Sequence, residues 1–248
     1  MSKKVLLSSV IWLGGSILTI LLFFAMLFFT IILYPFDKKR KFVHAQCFWW
    51  ADAVITMNPY WKVNVTGLEN IDKNRTYVII ANHQSLADII VLYKTRMQFK
   101  WVAKESLFKV PFVGWNLSLA KHICLSRGKL ASIKKVYREA AEWLRSGMSV
   151  LFFPEGTRSE TDEMRDFQNG AFKLAIKEKV PILPIALSGT GSAIPKGSWI
   201  FDSKTMASLR VFPPVETSGF EARDFESLKQ LVRGRMQGAS ASGPEKPV

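Results

Sequence analysis

Hydrophobic and polar positions divide the chain near residue 58. Before that point, Val5 to Phe36 runs without a single Asp, Glu, Lys, Arg or His. About 20 apolar residues cross the hydrocarbon core of a bilayer, so this segment predicts contact with a membrane. As one straight helix it would reach about 48 Å, well beyond the roughly 30 Å apolar thickness. A single tilted span and a helix that enters one leaflet and returns with its neighbour both satisfy that mismatch. A cleaved signal peptide fits poorly, because its apolar core would be about 7–15 residues and no A-x-A-like site follows. Lys3-Lys4 and Lys38-Lys39-Arg40-Lys41 flank the run on both sides, leaving the positive-inside rule little asymmetry. The next stretch, Phe42 to Met57, carries Phe48, Trp49, Trp50, Val54 and Ile55, and paired tryptophans suit the headgroup boundary. The expectation is a two-helix membrane-dipping unit over about residues 4–58.

After Asn58-Pro59 the pattern changes to short β-type runs alternating with helical ones. Expected strands are Trp61–Val65, Tyr77–Ala81, Lys100–Ala103, His122–Leu125, Ser149–Phe153, Ile182–Leu187 and Leu209–Phe212. Expected helices are Leu86–Lys94, Pro111–Leu119, Lys129–Ser146, Gly170–Glu178 and Asp224–Gln237. Within Lys129–Ser146, the apolar residues Ile133, Val136, Ala140 and Leu144 recur at helical spacing, and Gly147 supplies a stop. Ser149 to Phe153 is a continuous run ending in Pro154, as expected of a strand buried on both faces. Such alternation predicts an α/β fold with a mixed, largely parallel central sheet flanked by helices. The expected organisation is a membrane-associated helical hairpin at 1–58, an α/β domain at 59–238, and a Ser-, Gly- and Pro-rich disordered tail at 239–248.

Charge then narrows the partners. The chain has 34 Lys+Arg against 20 Asp+Glu, a net charge of +14. Nucleic acid, anionic lipid and phosphorylated substrate all suit that excess. No nucleic-acid recognition motif or Arg-rich stripe with interleaved aromatics occurs, so no nucleic acid is expected and the bilayer is the better partner. The only cysteines, Cys47 and Cys124, form no C-x-x-C pair for redox chemistry or zinc, and they suit a domain facing the reducing cytosol. His83 and Asp88 offer only two metal ligands, with His44 and His122 in other contexts, so no metal is expected.

Two junctions carry candidate chemistry. In Asn82-His83-Gln84-Ser85-Leu86-Ala87-Asp88, an imidazole and a carboxylate sit between two apolar runs. A neutral histidine accepts protons near physiological pH, and a carboxylate can fix its tautomer and stabilise the imidazolium. Residues five apart are 140° out of phase on an ideal helix, so His83 belongs to the turn and Asp88 to the first turns of the helix. The second junction is Phe153-Pro154-Glu155-Gly156-Thr157-Arg158-Ser159, where a buried strand ends in a glycine turn rich in donors. The Arg158 fork suits phosphate oxygens. It is neither a P-loop nor a hydrolase elbow, since neither spacing occurs. Ser85 beside His83 leaves open a nucleophile and an acyl-enzyme.

Together these stretches resemble the glycerophospholipid acyltransferase family, and within it the bacterial type of 1-acylglycerol-3-phosphate acyltransferase. Four blocks stand in the family's order: Asn82 to Asp88, Lys121 to Gly128, Phe153 to Ser159, and Val180-Pro181-Ile182-Leu183-Pro184-Ile185-Ala186-Leu187. The linking segments Lys104 to Trp115 and Phe167 to Phe172 are similar too, so the resemblance covers about residues 60–215. Leu125-Ser126 before Arg127 is a small departure from the usual pattern. The resemblance implies a glycerol-3-phosphate acyltransferase-like fold and acyl transfer from a thioester to the 2-hydroxyl of lysophosphatidic acid, giving phosphatidic acid. It implies His83 as base, Asp88 as its orienting partner, and direct transfer without an intermediate on Ser85. It also implies Arg158 at the acceptor phosphate, with Lys104, Arg127, Glu155, Gly156 and Thr157 around it; Glu155 better suits orienting Arg158 or the loop. No resident cofactor is implied, only acyl-coenzyme A or acyl carrier protein as co-substrate, at the cytosolic side of the inner membrane. Another acceptor remains an alternative: glycerol 3-phosphate, a lysophospholipid or an ornithine-type lipid. A non-catalytic lipid-binding protein is a further one.

Overall fold

The computed structural model describes residues 3–159, 163–192, 199–201 and 204–240. Two helices come first, α1 (Lys3–Ile32) and α2 (Lys41–Met57). They run antiparallel: Phe29 meets Phe42 at 4.8 Å between rings, and Trp50 Nε1 donates to Thr19 Oγ1 at 3.3 Å. Gly14 sits where a Cβ would meet Met57 Sδ at 2.5 Å, so the glycine permits the close approach at the open end of the hairpin.

The remaining elements alternate as the patterning predicts. They are β1 (Trp61–Thr66), β2 (Val78–Ala81), α3 (Asp88–Leu92), β3 (Phe99–Lys104), α4 (Glu105–Phe108), α5 (Val113–Leu119), β4 (Ile123–Leu125), α6 (Leu130–Arg145), β5 (Ser149–Phe152), α7 (Gly170–Glu178), β6 (Ile182–Ser188), β7 (Thr205–Val211) and α8 (Phe225–Ser240). The strands form one mixed sheet in the order β1-β7-β6-β2-β5-β3-β4. Only the β6–β7 pair is antiparallel; the others run parallel. Strands β2 and β5 at the centre are buried at every position, as continuous apolar runs require.

Pleating sends alternate residues into two cores. Ile79, Ala81, Phe99, Trp101, Leu151, Leu183 and Ile185 face one layer, which contains α3, α5 and residues of α1 and α2. Val78, Ile80, Val150, Phe152 and Ile182 face the other, made by α6, α7 and α8. The second helix of the hairpin therefore shares the sheet's own core: Val43, Cys47 and Ala51 are buried there. α1 differs. Leu6, Val10, Leu13, Ile17, Leu21, Phe24, Phe28 and Ile31 repeat every three or four residues and all remain exposed. They form one apolar stripe along the whole helix, which is long and apolar enough to cross a membrane.

Boundaries shift for local reasons. The expected helix at 86–94 is shortened to α3, because Asp88 caps the turn before it and the 3₁₀ turn Tyr93–Thr95 ends it. In α6 the buried positions are Val136, Ala140, Ala141 and Leu144, while Ile133 is exposed one turn earlier. β7 begins four residues before the expected strand, since its alternating Thr205–Ser208 half carries too little apolar character to read. α8 continues to Ser240; the rest of the expected tail, 241–248, lies outside the described residues.

Candidate active site

Parallel pairing places the carboxyl ends of β6, β2, β5, β3 and β4 along one edge of the sheet. Loops at that edge of an α/β sheet carry chemistry, because rigid strands aim them. His83 leaves β2 at this edge, the turn carrying Glu155 to Arg158 leaves β5, Lys104 ends β3, and Arg127 follows β4. Adjacent strands lie about 4.8 Å apart. The β5 loop is therefore next to His83, Lys104 is two strands away, and Arg127 is three, roughly 14 Å to the side.

Two neighbours fix the imidazole. His83 Nδ1 lies 2.6 Å from Asp88 Oδ2, and the same oxygen accepts the backbone N–H groups of Gln84 at 2.7 Å and Ser85 at 3.0 Å. Asp88 is fully buried and opens α3, so its carboxylate caps the turn that carries the histidine. Phe153 stacks on the imidazole, ring centroids 4.2 Å apart and planes at 24°. The His83 side chain keeps 18% of its surface. With Nδ1 donating to Asp88, Nε2 carries the lone pair and is left to face an incoming hydroxyl.

Backbone and side-chain ties lock the two loops together. Glu155 Oε1 accepts the N–H of His83 at 2.7 Å, and Oε2 accepts that of Arg165 at 2.9 Å. Ser159 N donates back to the His83 carbonyl at 2.8 Å. Glu155 is buried, and that burial raises its carboxyl pKa above the usual 4.5 despite the two donors. Both of its oxygens are engaged with main chain, so it supports the loops. Gly156 takes a left-handed φ of 70°, which lets the turn reverse directly beside His83. Gly156 and Thr157 are exposed, Arg158 is half-buried, and Arg158 has no ion-pair partner among the described residues. Lys104 and Arg127 are exposed.

Ser85 sits differently. It is 1% exposed, and its Oγ accepts the Ala87 N–H at 3.3 Å. Its hydroxyl serves the turn instead of pairing with the imidazole. Asn82, Gln84 and Phe153 were not singled out by sequence reasoning, yet they brace the site. Asn82 bridges to β6 twice, donating to the Leu187 carbonyl at 2.8 Å and accepting its N–H at 2.7 Å. Gln84 Oε1 accepts from Thr190 Oγ1 at 3.2 Å. A buried asparagine at a strand end is the one signal that could have flagged the first of these. Pro184 lies inside β6 beside Ile80 and belongs to the core. Among the described residues no group of three or more His, Cys, Asp or Glu could hold a metal.

Comparison with known proteins adds independent findings. The acyltransferase family profile matches residues 62–188. The 1-acyl-sn-glycerol-3-phosphate acyltransferase of Pseudomonas aeruginosa is 35% identical over 212 residues, covering 82% of this chain and 78% of that protein. A chloroplastic 1-acyl-sn-glycerol-3-phosphate acyltransferase of Arabidopsis thaliana is 39% identical over 161 residues, covering 64% of this chain and 45% of that protein. The chain thus spans about half the length of the plant and algal relatives it matches. A crystal structure of the 1-acyl-sn-glycerophosphate acyltransferase of Thermotoga maritima superimposes with a TM-score of 0.85 at 29% identity, covering 99% of this chain and 98% of that one. The matched span holds both halves of the loop assembly just described, from the strand before His83 to the end of β6, and this chain belongs to the acyltransferase family.

Proposed function

We propose that this chain transfers an acyl group from a thioester to the sn-2 hydroxyl of 1-acylglycerol 3-phosphate, giving phosphatidic acid. The observation that carries this reading is the 2.6 Å His83 Nδ1–Asp88 Oδ2 contact, which leaves Nε2 as the basic atom. His83 Nε2 takes the proton of the acceptor hydroxyl as its oxygen attacks the thioester carbonyl carbon. A C–O bond forms, the tetrahedral adduct collapses with cleavage of the C–S bond, and the proton passes from Nε2 to the departing sulfur. Asp88 holds the tautomer and stabilises the transient imidazolium. No covalent enzyme intermediate is involved.

Arg158 binds the acceptor phosphate, with Lys104 and then Arg127 further along the sheet edge. Neighbouring strands support that ranking. The names carried by the relatives support the same acceptor. The donor is carried by coenzyme A or acyl carrier protein, and no resident cofactor takes part. The exposed stripe of α1 supports a bilayer-embedded helix, which spares a lysophospholipid the passage through water. We place the enzyme at the inner membrane, catalytic loops on the cytosolic side. Purified full-length protein, a labelled acyl donor on either carrier, and a panel of acceptors test this reading. Preference for lysophosphatidic acid over glycerol 3-phosphate, phosphate-free monoacylglycerol, headgroup-bearing lysolipids and ornithine lipid is expected. Transfer to none of them, or hydrolysis of the donor alone, overturns it.

A further inference from the structure

The edge of the sheet opposite the catalytic loops holds a second concentration of positive charge. There the turn between α1 and α2 meets the end of α5, around a cavity of about 310 Å³ lined by Phe23, Thr30, Arg40, Trp115, Ser118, Leu119 and Lys121. No acidic residue is among the lining. Arg40 is 7% exposed and its Nε is buried without a partner; Thr30 Oγ1 is buried without one as well. The guanidinium's other contacts are weak: Nη1 lies 3.5 Å from the Thr30 carbonyl, and the group rests over the Tyr34 ring at 5.7 Å. Asp37 is the nearest carboxylate in sequence, but it is committed to the start of α2, accepting the N–H groups of Lys41, Phe42 and Val43.

One buried lysine builds this arrangement. Lys100, with no exposed surface, donates to the Lys39 carbonyl at 2.8 Å and the Ala120 carbonyl at 2.7 Å. The residues that follow those two carbonyls are Arg40 and Lys121, and each takes a left-handed φ of 54°. A non-glycine residue is rarely held there without a reason. A single ammonium thus clamps two strained turns so that their cations line one cavity. Burial lowers the Lys100 pKa to about 7; Asp37 opposes that shift, and the nearby charges of Lys121 and Arg40 add to it. An anion seated between Arg40 and Lys121, the two cations that line the cavity, would relieve the repulsion they share with Lys100.

The surroundings indicate what kind of anion. Phe23 packs on Trp115 at 5.3 Å and on Phe112 at 5.6 Å, and Trp115 is half-exposed. These rings continue into the exposed α1 stripe at Phe24, Phe28 and Ile31. Aromatic and basic groups at the rim of an apolar surface match the headgroup level of a bilayer. We propose that Arg40 and Lys121 form a binding site for the phosphate of an anionic membrane phospholipid, whose acyl chains lie against Phe23, Trp115 and α1. Along β3, Lys100 at this edge stands about 13 Å from Lys104 at the catalytic edge. It holds the hairpin in register with the bilayer and does not depend on which acceptor the catalytic loops use.

The test uses full-length protein in phosphatidylcholine vesicles containing phosphatidylglycerol with a photoreactive group near its phosphate. Expected adducts fall on peptides covering 38–42 and 112–121, displaced by unlabelled phosphatidylglycerol and not by phosphatidylcholine. Lys121→Gln and Arg40→Gln should each reduce that labelling about tenfold or more, the loss of one charge-assisted contact. Lys38→Gln, which removes the same charge from an exposed position outside the cavity, should leave it unchanged. If buried Arg40 does not tolerate replacement, the exposed Lys121 decides alone, with a melting curve to verify its fold. Unchanged labelling in Lys121→Gln, an equal loss in Lys38→Gln, or displacement by inorganic phosphate as effective as by the lipid each overturns the proposal.

Discussion

Glu155 Oε1 accepts the main-chain N–H of His83 at 2.7 Å, so a carboxylate from the β5 loop carries the residue that presents the imidazole. Its second oxygen holds Arg165, which follows in the same excursion. Replacing it by Gln keeps the shape and one acceptor but leaves one of the two part-buried N–H groups unpaired, at a cost of about 1 kcal/mol. Glu155→Gln should therefore lower the melting temperature and kcat, with less effect on the acceptor KM than loss of a phosphate ligand. The pH dependence has a definite sign. Burial raises the folded carboxyl pKa, so its stabilising contribution is complete below the ordinary value of 4.5 and is lost as pH rises through the folded value. The melting temperature of Glu155→Gln, measured from about pH 4.5 upward, should lack that decline. A parallel decline in both proteins rules Glu155 out as its source.

Asp88 offers a cleaner separation of geometry from charge. Gln84 and Ser85 both point N–H groups at Oδ2, the atom that also meets the imidazole. In Asp88→Asn those donors would hold the amide oxygen in the same place, so the tautomer of His83 is retained. What is lost is the negative charge opposite the imidazolium. Turnover should fall about 10²–10³-fold, short of the effect of His83→Ala, which removes the base itself. The acceptor KM should move little. A loss confined to KM would remove the pair from the chemical step.

The cations at the sheet edge should not be equivalent. Arg158 lies on the loop beside His83, whereas Arg127 is exposed three strands away. A charge-assisted contact to phosphate contributes about 1.5–3 kcal/mol, so Arg158→Ala should raise the KM for lysophosphatidic acid roughly 10- to 150-fold. Lys104→Ala should act in the same direction more weakly, and Arg127→Ala within about fivefold. With monoacylglycerol as acceptor, all three should match the parent protein. Equal losses on both acceptors would mean that Arg158 shapes the loop and binds no phosphate.

How much of this was readable from residues alone depends on where the information sits. The central strands were legible because Val78–Ala81 and Ser149–Phe152 are buried on both faces and so carry unbroken apolar runs. His83 and Asp88 were legible because both chemical groups fall in one short turn. Glu155 was visible as a residue but not in its role, since its partners are main-chain groups from other loops. The docking of α2 was hidden for another reason: Val43, Cys47 and Ala51 repeat every four residues inside a helix whose aromatics suggest lipid as readily as core. Lys100 was the least legible. A lysine in a short strand reads as an edge or a solvated face, and only the tertiary structure shows its ammonium between two carbonyls.

That lysine makes a prediction that needs no substrate. Its folded pKa is lowered to about 7 from the ordinary 10.5, chiefly by burial. Asp37 and Cys47 oppose the shift, while Lys121 and Arg40 deepen it. Between those values the unfolded chain binds more protons than the folded one, so stability rises with pH across that window. A neutral amine still has two N–H groups for its two carbonyls, so the clamp survives deprotonation. Wild-type protein should therefore gain thermal stability from about pH 7 toward pH 10 relative to Lys100→Met, which has nothing to titrate there. The variant should start lower at neutral pH, because removing the buried charge offsets two unpaired carbonyls only in part. Anionic vesicles should flatten the wild-type rise by favouring the charged form. Melting curves of both proteins that climb in parallel would show that Lys100 keeps an ordinary pKa.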